Sequence, residues 1–194
     1  MRTPETRETI IYGGAFNPPT LAHEMILQAC VDHARETGAE VWVMPSGNRA
    51  DKTIPVERST RLGYIAAMLD DLNTDGVPVQ VITNELDRTV AVETFDTVVE
   101  LQDHNPDREL VWVFGADSTE TMGEWKNGDW LLENIRMLVI EREGSTINPL
   151  AKRALAMTVI TPPISSTNVR ERLIIGEPID EYVGSSVAAL LAYQ

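Results

Sequence analysis

Residues 9–24 read TIIYGGAFNPPTLAHE, and the order of the chain can be worked out from this stretch. Ile10, Ile11 and Tyr12 form the short apolar run of a buried parallel strand. Gly13 and Gly14 let the backbone approach a ligand without Cβ obstruction, and Asn17-Pro18-Pro19 then forces a turn. From Leu21 onward Ala22, Met25, Ile26, Ala29 and Cys30 recur at helical spacing, with Thr20 as the N-cap. The reading is a strand, a phosphate-cradling turn and a helix N-terminus. His23 falls in the first helical turn, where backbone N–H groups and the positive end of the helix dipole favour an anion.

Two other phosphate loops are excluded by the letters. The dinucleotide fingerprint needs further glycines soon after Gly14, and the next is Gly38. Lys52-Thr53 looks like the end of a P-loop, but Asp51 precedes the lysine and Ser46 stands where the opening glycine belongs.

Apolar runs at 41–44, 79–82, 110–114, 137–140 and 157–160 alternate with helical or loop material, the pattern of a parallel α/β sheet with helices on both faces. At 194 residues and 43% hydrophobic composition, the chain is expected to form one domain with a full core. No stretch reaches membrane-spanning length, and the polar MRTPETRET start lacks the apolar core of a secretory signal, so a cytoplasmic protein with no membrane partner is expected. Cys30 is alone and on the apolar helix face, which makes it a core residue. No His/Cys/Asp cluster has zinc-ligand spacing, and His33 and His104 read as structural or solvated. A net charge of −14 argues against a nucleic-acid partner. A chain this acidic must concentrate its few cations to bind phosphates, so Lys52, Arg58, Arg61, Arg170 and Arg172 carry more information than basic residues usually do.

Each later segment offers its own candidates. The loop from Pro45 to Lys52 lies at a strand's C-terminal end, the edge where open α/β sheets place ligands. Pro55 is expected to open a helix with Leu62, Ile65, Ala66 and Leu69 inward, and Arg58 and Arg61 are either solvated there or turned to the site. The third strand is expected to end near Glu85-Leu86, followed by a helix over 91–102 with Phe95, Val98 and Val99 inward. Thr94 in its first turn either caps it or presents a hydroxyl to a ligand. The 110–114 run is the most hydrophobic strand and reads as central; beyond it Gly115 permits close approach, while Asp117 offers acceptors for ribose hydroxyls or caps the next helix. Trp125 and Trp130 bracket a polar turn, Lys126 to Asp129, so one ring is expected in the core and the other against a ligand. Trp42 and Trp112 lie within strands and read as core. Pro162-Pro163 ends the last strand, and Ile164, Ser165, Ser166 and Thr167 enter a helix carrying Val169, Arg170, Leu173 and Ile174. The hydroxyls, the first-turn amides and Arg170 converge there as a second anion site. Gly176 and Pro178 stop that helix, and a small helix over 185–193 closes the chain.

Four of these stretches, in order, carry a family resemblance: GGAFNPPTLAH (13–23), FGADS (114–118), EWKNGDWLLENIRMLVIERE (124–143) and ISSTNVR (164–170). They resemble the [HT]-x-G-H signature, the G-x-D-S strand end, the tryptophan segment and the I-S-[SGA]-T-x-[IV]-R motif of the nucleotidyltransferase superfamily. Within it they resemble the adenylyltransferases that make NAD from nicotinate or nicotinamide mononucleotide. The resemblance implies a Rossmann-like doubly wound parallel sheet and one domain over 1–194, with a helical part from 164 carrying ISSTNVR. It also implies adenylyl transfer from ATP to the mononucleotide with release of pyrophosphate, and Mg²⁺ held by phosphates and water rather than by the protein. His23, Thr20, Arg170 and Lys52 would take the catalytic positions. Gly13, Gly14, Ala15, Phe16, Ile164, Ser165, Ser166, Thr167 and Arg170 would meet ATP. Asn17, Thr94, Gly115, Asp117, Trp125 and Lys126 would meet the mononucleotide, with Trp125 on the pyridine ring and Trp130 in the core. Arg61 would be a structural or phosphate-side contact.

Thr20 stands where bacterial members carry a first His, and Ala22 replaces a Gly. This T-x-x-H form and Glu93-Thr94 resemble the eukaryotic nicotinamide branch, while Gly13-Gly14 and the short length resemble the bacterial one. Ala91 stands where that eukaryotic branch has a tryptophan. Acceptor preference is open between the two mononucleotides, and a homo-oligomer is left open too. Two alternatives stand beside this reading: a sibling transferase acting on phosphopantetheine or another phosphorylated acceptor, and a catalytically weakened nucleotide-binding or regulatory protein.

Overall fold

The computed structural model describes residues 7–48, 54–91, 93–141 and 144–192. Six strands, β1 (Arg7–Gly14), β2 (Glu40–Pro45), β3 (Val79–Val81), β4 (Arg108–Gly115), β5 (Arg136–Glu141) and β6 (Ala154–Thr158), form one sheet in the order β3-β2-β1-β4-β5-β6. Every pairing is parallel. The helices are α1 (Leu21–Thr37), α2 (Arg58–Asp70), α3 (Thr94–His104), α4 (Ala116–Thr121), α5 (Gly128–Asn134), α6 (Ser166–Ile175) and α7 (Ser185–Leu191). This is the Rossmann-like doubly wound order, which reverses between β1 and β4 and opens a crevice beyond the strand C-termini at that point. Among the described residues no helix is long and apolar enough to cross a membrane.

The period-two geometry of the strands divides the core. Ile10, Tyr12, Val41, Val43, Val111, Val113, Leu138 and Ile140 face the layer that includes α1, α2 and α7. Ile11, Trp42, Met44, Leu110, Trp112, Met137 and Val139 face the layer with α3 and α5. In α1, Ala22, Ile26, Leu27, Cys30, Val31 and Ala34 form the buried stripe, and Gly38, at φ 75°, ends the helix by donating to the Ala34 carbonyl at 2.8 Å. Complete burial pushes the Cys30 thiol up to about 12, so it stays a neutral core group.

Four boundaries differ from the sequence expectation. α2 begins at Arg58 rather than Pro55, and its buried set is Arg61, Tyr64, Ile65, Ala67 and Met68, because Arg61 turns inward to bond the chain at Ala15 and rotates the inner face. β3 pairs over three residues only, and the chain then folds into a turn in which Asp87 donates to the Thr83 carbonyl, leaving Glu85 to point inward. α3 starts at Thr94, with Glu93 rather than an earlier residue as its N-cap. β6 starts at Ala154 because its register pairs Ala154 with Met137; the expected run at 157–160 enters it with its first two residues only, and Ile160 is 86% exposed.

Candidate active site

His23 stands at the reversal point of the sheet. A cavity of about 200 Å³ is lined by Tyr12, Gly13, His23, Phe114, Gly115, Asp117 and Ser118, which brings the first motif and FGADS together. The imidazole is oriented from below: its Nδ1 accepts the Thr20 amide at 3.1 Å and lies 2.8 Å from the Thr20 hydroxyl. An Nδ1 that accepts a backbone N–H carries no proton, so the ring's proton sits on Nε2. Phe16 supports the ring edge-on, with centroids 5.4 Å apart.

This arrangement changes three expected roles. Thr20 has no exposed surface, so it orients His23 rather than touching a ligand. Phe16 is fully buried at φ 45° and covers the position where a Gly14 Cβ would be, 2.9 Å from its ring, so Gly14 makes room for Phe16. The Leu21 amide, one of the first-turn N–H groups of α1, already donates to the Tyr182 carbonyl at 2.9 Å.

A second cavity of about 260 Å³ shares Gly13, Val113, Phe114 and Ser118 with the first and adds Gly14, Ala15, Ser46, Gly47, Glu85, Thr94 and Trp125. Trp125 is half-buried and meets Phe114 edge-on at 6.0 Å, leaving an indole surface at the cavity. Trp130 corrects the core expectation: it is 38% exposed and packs edge-on against Phe95, because α5 turns Leu131 and Leu132 inward and leaves its third residue outside. Lys126 is exposed and spans to both oxygens of Asp96 at 2.7 and 2.8 Å, so it ties the tryptophan turn to α3.

Glu85 was not legible as a site residue. Only 9% exposed, it accepts the Gly47 amide at 3.2 Å and the Thr97 hydroxyl at 2.9 Å, joining the loop after β2 to α3. Arg61, 2% exposed, donates from Nε to the Ala15 carbonyl at 3.0 Å; burial lowers its pKa, and the charge of Glu85 opposes that shift. The signal in the sequence was an acid following a strand in an otherwise polar stretch, which is too common to single out.

The ISSTNVR segment docks on the first loop. The Ser166 hydroxyl donates to the Pro18 carbonyl at 2.8 Å, and Arg170 donates to the Asn17 carbonyl at 2.7 Å. Ser165 and Asn168 form a reciprocal capping box, and Arg170 also reaches the Thr167 hydroxyl at 3.1 Å. The three hydroxyls therefore hold the motif together instead of standing free, as capping residues do. Arg170 stays exposed at its edge. Beside the motif lies a cavity of about 800 Å³ lined by Ala22, Glu141, the chain from Thr158 to Ile164, and Ser165. Ala22 and Glu141 are the chain neighbours of His23 and Ile140 in the smaller cavity, so the two spaces adjoin.

The five cations separate. Arg170 and Arg61 bond the loop after β1, at the Asn17 and Ala15 carbonyls; Arg58 is an exposed partner of Asp87 at 2.7 Å, and Arg172 pairs with Glu177 at 2.8 Å and lies over Tyr182. Lys52 falls outside the described residues.

Known proteins are similar to this chain in sequence and in fold. A probable nicotinate-nucleotide adenylyltransferase of Exiguobacterium sibiricum is 28% identical over 93% of this chain and 94% of its own. One from Bordetella avium is 27% identical over 94% and 93%. The Plasmodium falciparum nicotinic acid mononucleotide adenylyltransferase complexed with NaAD superposes with a TM-score of 0.80 at 21% identity, covering 96% of both chains. A putative nicotinate-nucleotide adenylyltransferase of Vibrio parahaemolyticus superposes with 0.69, over 96% of this chain and 99% of its own. The cytidylyltransferase-like family model matches residues 11–172, from the middle of β1 into α6, and so takes in both docked motifs and the crevice between β1 and β4: the chain belongs to that family.

Proposed function

We propose that the protein transfers the adenylyl group of ATP to nicotinate mononucleotide, forming the dinucleotide and pyrophosphate in NAD biosynthesis. The observation that carries this reading is the position of His23, at the sheet's reversal point, between a cavity that ends at Trp125 and one that ends at the ISST segment. The names of the relatives favour nicotinate over nicotinamide. In this reading the mononucleotide phosphate attacks the α-phosphorus in line; its oxygen forms the new P–O bond as the bond to pyrophosphate breaks. That phosphate is an anion at neutral pH, so no general base is needed, and catalysis comes from positioning and charge stabilisation. His23 Nε2 donates to the reacting phosphates. Arg170 and the α6 amides meet the outgoing phosphates, and Trp125 stacks on the pyridine ring. Thr20 does the orienting work through its hydroxyl and amide, so its presence in place of a histidine does not mark a weakened enzyme.

In this reading Mg²⁺ would arrive on ATP, where its oxygen ligands would come from phosphates and water rather than from a protein carboxylate cage. We place the activity in one domain over residues 1–194, acting in the cytoplasm. The test is chromatography of products from ATP and Mg²⁺ with nicotinate mononucleotide, nicotinamide mononucleotide or phosphopantetheine. Dinucleotide from nicotinate mononucleotide is expected; product from phosphopantetheine alone would move the protein to the sibling reaction.

The two tryptophans give a second test. Trp125→Ala should raise the acceptor KM by roughly tenfold, with ATP's KM unchanged, because stacking on an aromatic is worth about 1 to 3 kcal/mol. Trp130→Ala, on the outer face of α5, should leave both KM values in place. If Trp130→Ala is the variant that weakens the acceptor, the stacking role belongs to the other ring.

A further inference from the structure

The first turn of α1 is held from a side the reaction scheme does not use. The Leu21 amide donates to the Tyr182 carbonyl at 2.9 Å, and Glu24, 8% exposed, accepts the Gly184 amide at 3.0 Å. Asp71, just past α2, accepts the Ser186 amide at 2.9 Å and the hydroxyls of Ser185 and Ser186 at 2.8 Å. Gly184 sits where both carboxylates converge, and a Cβ there would overlap oxygens of Glu24 and Asp71. The segment is anchored by Ile179, Val183 and Val187, which join the core cluster of Ile26 and Leu27. It lies beyond residue 172, where the family match ends.

We propose that Glu24 is a positioning residue for adenylyl transfer: with residues 182–186 it fixes the first turn of α1 against the sheet, and so fixes the imidazole of His23 at the reacting phosphate. The inference rests on the adenylyltransferase reading above. The Thr20 contacts set His23 within its own turn, but they cannot place that turn relative to β1 and β4. Two hydrogen bonds to the C-terminal segment do so, one on each side of His23 in sequence.

The choice of a carboxyl group has a consequence. The charged group facing Glu24 is Asp71, and the C-terminal segment brings amides and hydroxyls to the junction, not a cation. Burial, and then the charge of Asp71, push Glu24 up to about 7 against the opposing Gly184 amide. Partial burial pushes Asp71 upward as well, but the amide and hydroxyl of Ser186 and the hydroxyl of Ser185 hold it below the usual carboxylate range. A protonated Glu24 next to an ionised Asp71 accepts from Gly184 without opposing its neighbour. Because its folded pKa lies above the ordinary carboxyl value, the stability Glu24 contributes is full below that ordinary value and is lost as pH rises toward about 7, and above about 7 an ionised Glu24 faces the charge of Asp71.

The test compares Glu24→Ala and Glu24→Gln with wild type, by steady-state kinetics from about pH 5.5 to 8.5 and by deuterium exchange of residues 20–26. Gln keeps an acceptor for Gly184 and carries no charge. Glu24→Ala should lower kcat about tenfold with ATP's KM within about twofold, since misplacement of a donor acts on the transition state, and it should speed exchange in the first turn. Glu24→Gln should restore wild-type kcat and exchange and remove the fall in kcat that wild type shows above a pH of about 7. A folded Ala variant with wild-type kcat, or a Gln variant that exchanges as fast as Ala, overturns the proposal. If wild type makes no dinucleotide from either mononucleotide, the adenylyltransferase reading has failed by itself. The exchange comparison still decides whether Glu24 holds the turn, with equal exchange in Ala and wild type overturning it.

Discussion

His23→Ala is expected to lower kcat by roughly 10² to 10³ while leaving both KM values within a few-fold. The reason is geometric. Its Nδ1 is occupied by the Thr20 amide and hydroxyl, so a neutral ring presents its proton at Nε2 before any substrate arrives. A donor placed in advance costs no reorganisation at the moment of transfer, and its benefit grows as charge builds on the reacting phosphates. An interaction that strengthens in the transition state appears in kcat, not in ground-state binding. Folding should survive at a modest cost in stability, since the ring is half-buried at a cavity wall, and its loss takes away the Nδ1 acceptor of the Thr20 amide in the α1 capping box. Steady-state kinetics and circular dichroism on the same preparations make the check. A folded variant with undiminished kcat would remove His23 from the chemistry and leave it as the Thr20 partner alone.

The largest loss of stability is expected from Gly128→Ala, at about 3 kcal/mol or more, read as a drop in melting temperature of roughly 6 to 12 °C. Gly128 is buried at the start of α5, and a Cβ there would overlap the Met122 carbonyl oxygen and lie 2.9 Å from Gly123 backbone atoms. The obstacle cannot swing away as a side chain would. Met122 is fully buried, its carbonyl accepts the Trp125 amide at 3.0 Å, and the Gly128 amide donates to the Trp125 carbonyl at 2.9 Å. Relief of the clash must therefore move the turn that carries Trp125, and the acceptor KM should rise with the loss of stability. Gly123→Ala is the control: its nearest neighbours, Asp129 Oδ1 and Leu132 Cδ1, stand at 3.9 and 4.0 Å. Thermal melting of the two variants decides the matter. A Gly128→Ala protein that melts with wild type would show that the turn relaxes at no cost.

What the sequence determined by itself is whatever depends on neighbours along the chain. The apolar run of Ile10 to Tyr12, the break at Gly13-Gly14 and the helical spacing from Ala22 to Cys30 stated β1, its loop and α1. Repetition of such runs stated a parallel sheet with helices on both faces, and the observed strand order reverses at the loop read as the phosphate cradle. Local rules suffice there because period-two burial and helix capping act over a few residues. The tertiary structure decided which atoms are already engaged. Nothing local shows that Arg61 will turn inward to the Ala15 carbonyl 46 residues away, that Glu85 will take the Gly47 amide, or that Tyr182 will take the Leu21 amide. The same holds for the two tryptophans: five residues apart in one polar turn, they are alike in sequence, and only the packing of Leu131 and Leu132 puts Trp130 outside and leaves Trp125 at the cavity. Hydrogen-bond partners and exposed faces are set by elements that meet from distant parts of the chain, and a buried polar group must find its partner wherever the fold supplies one.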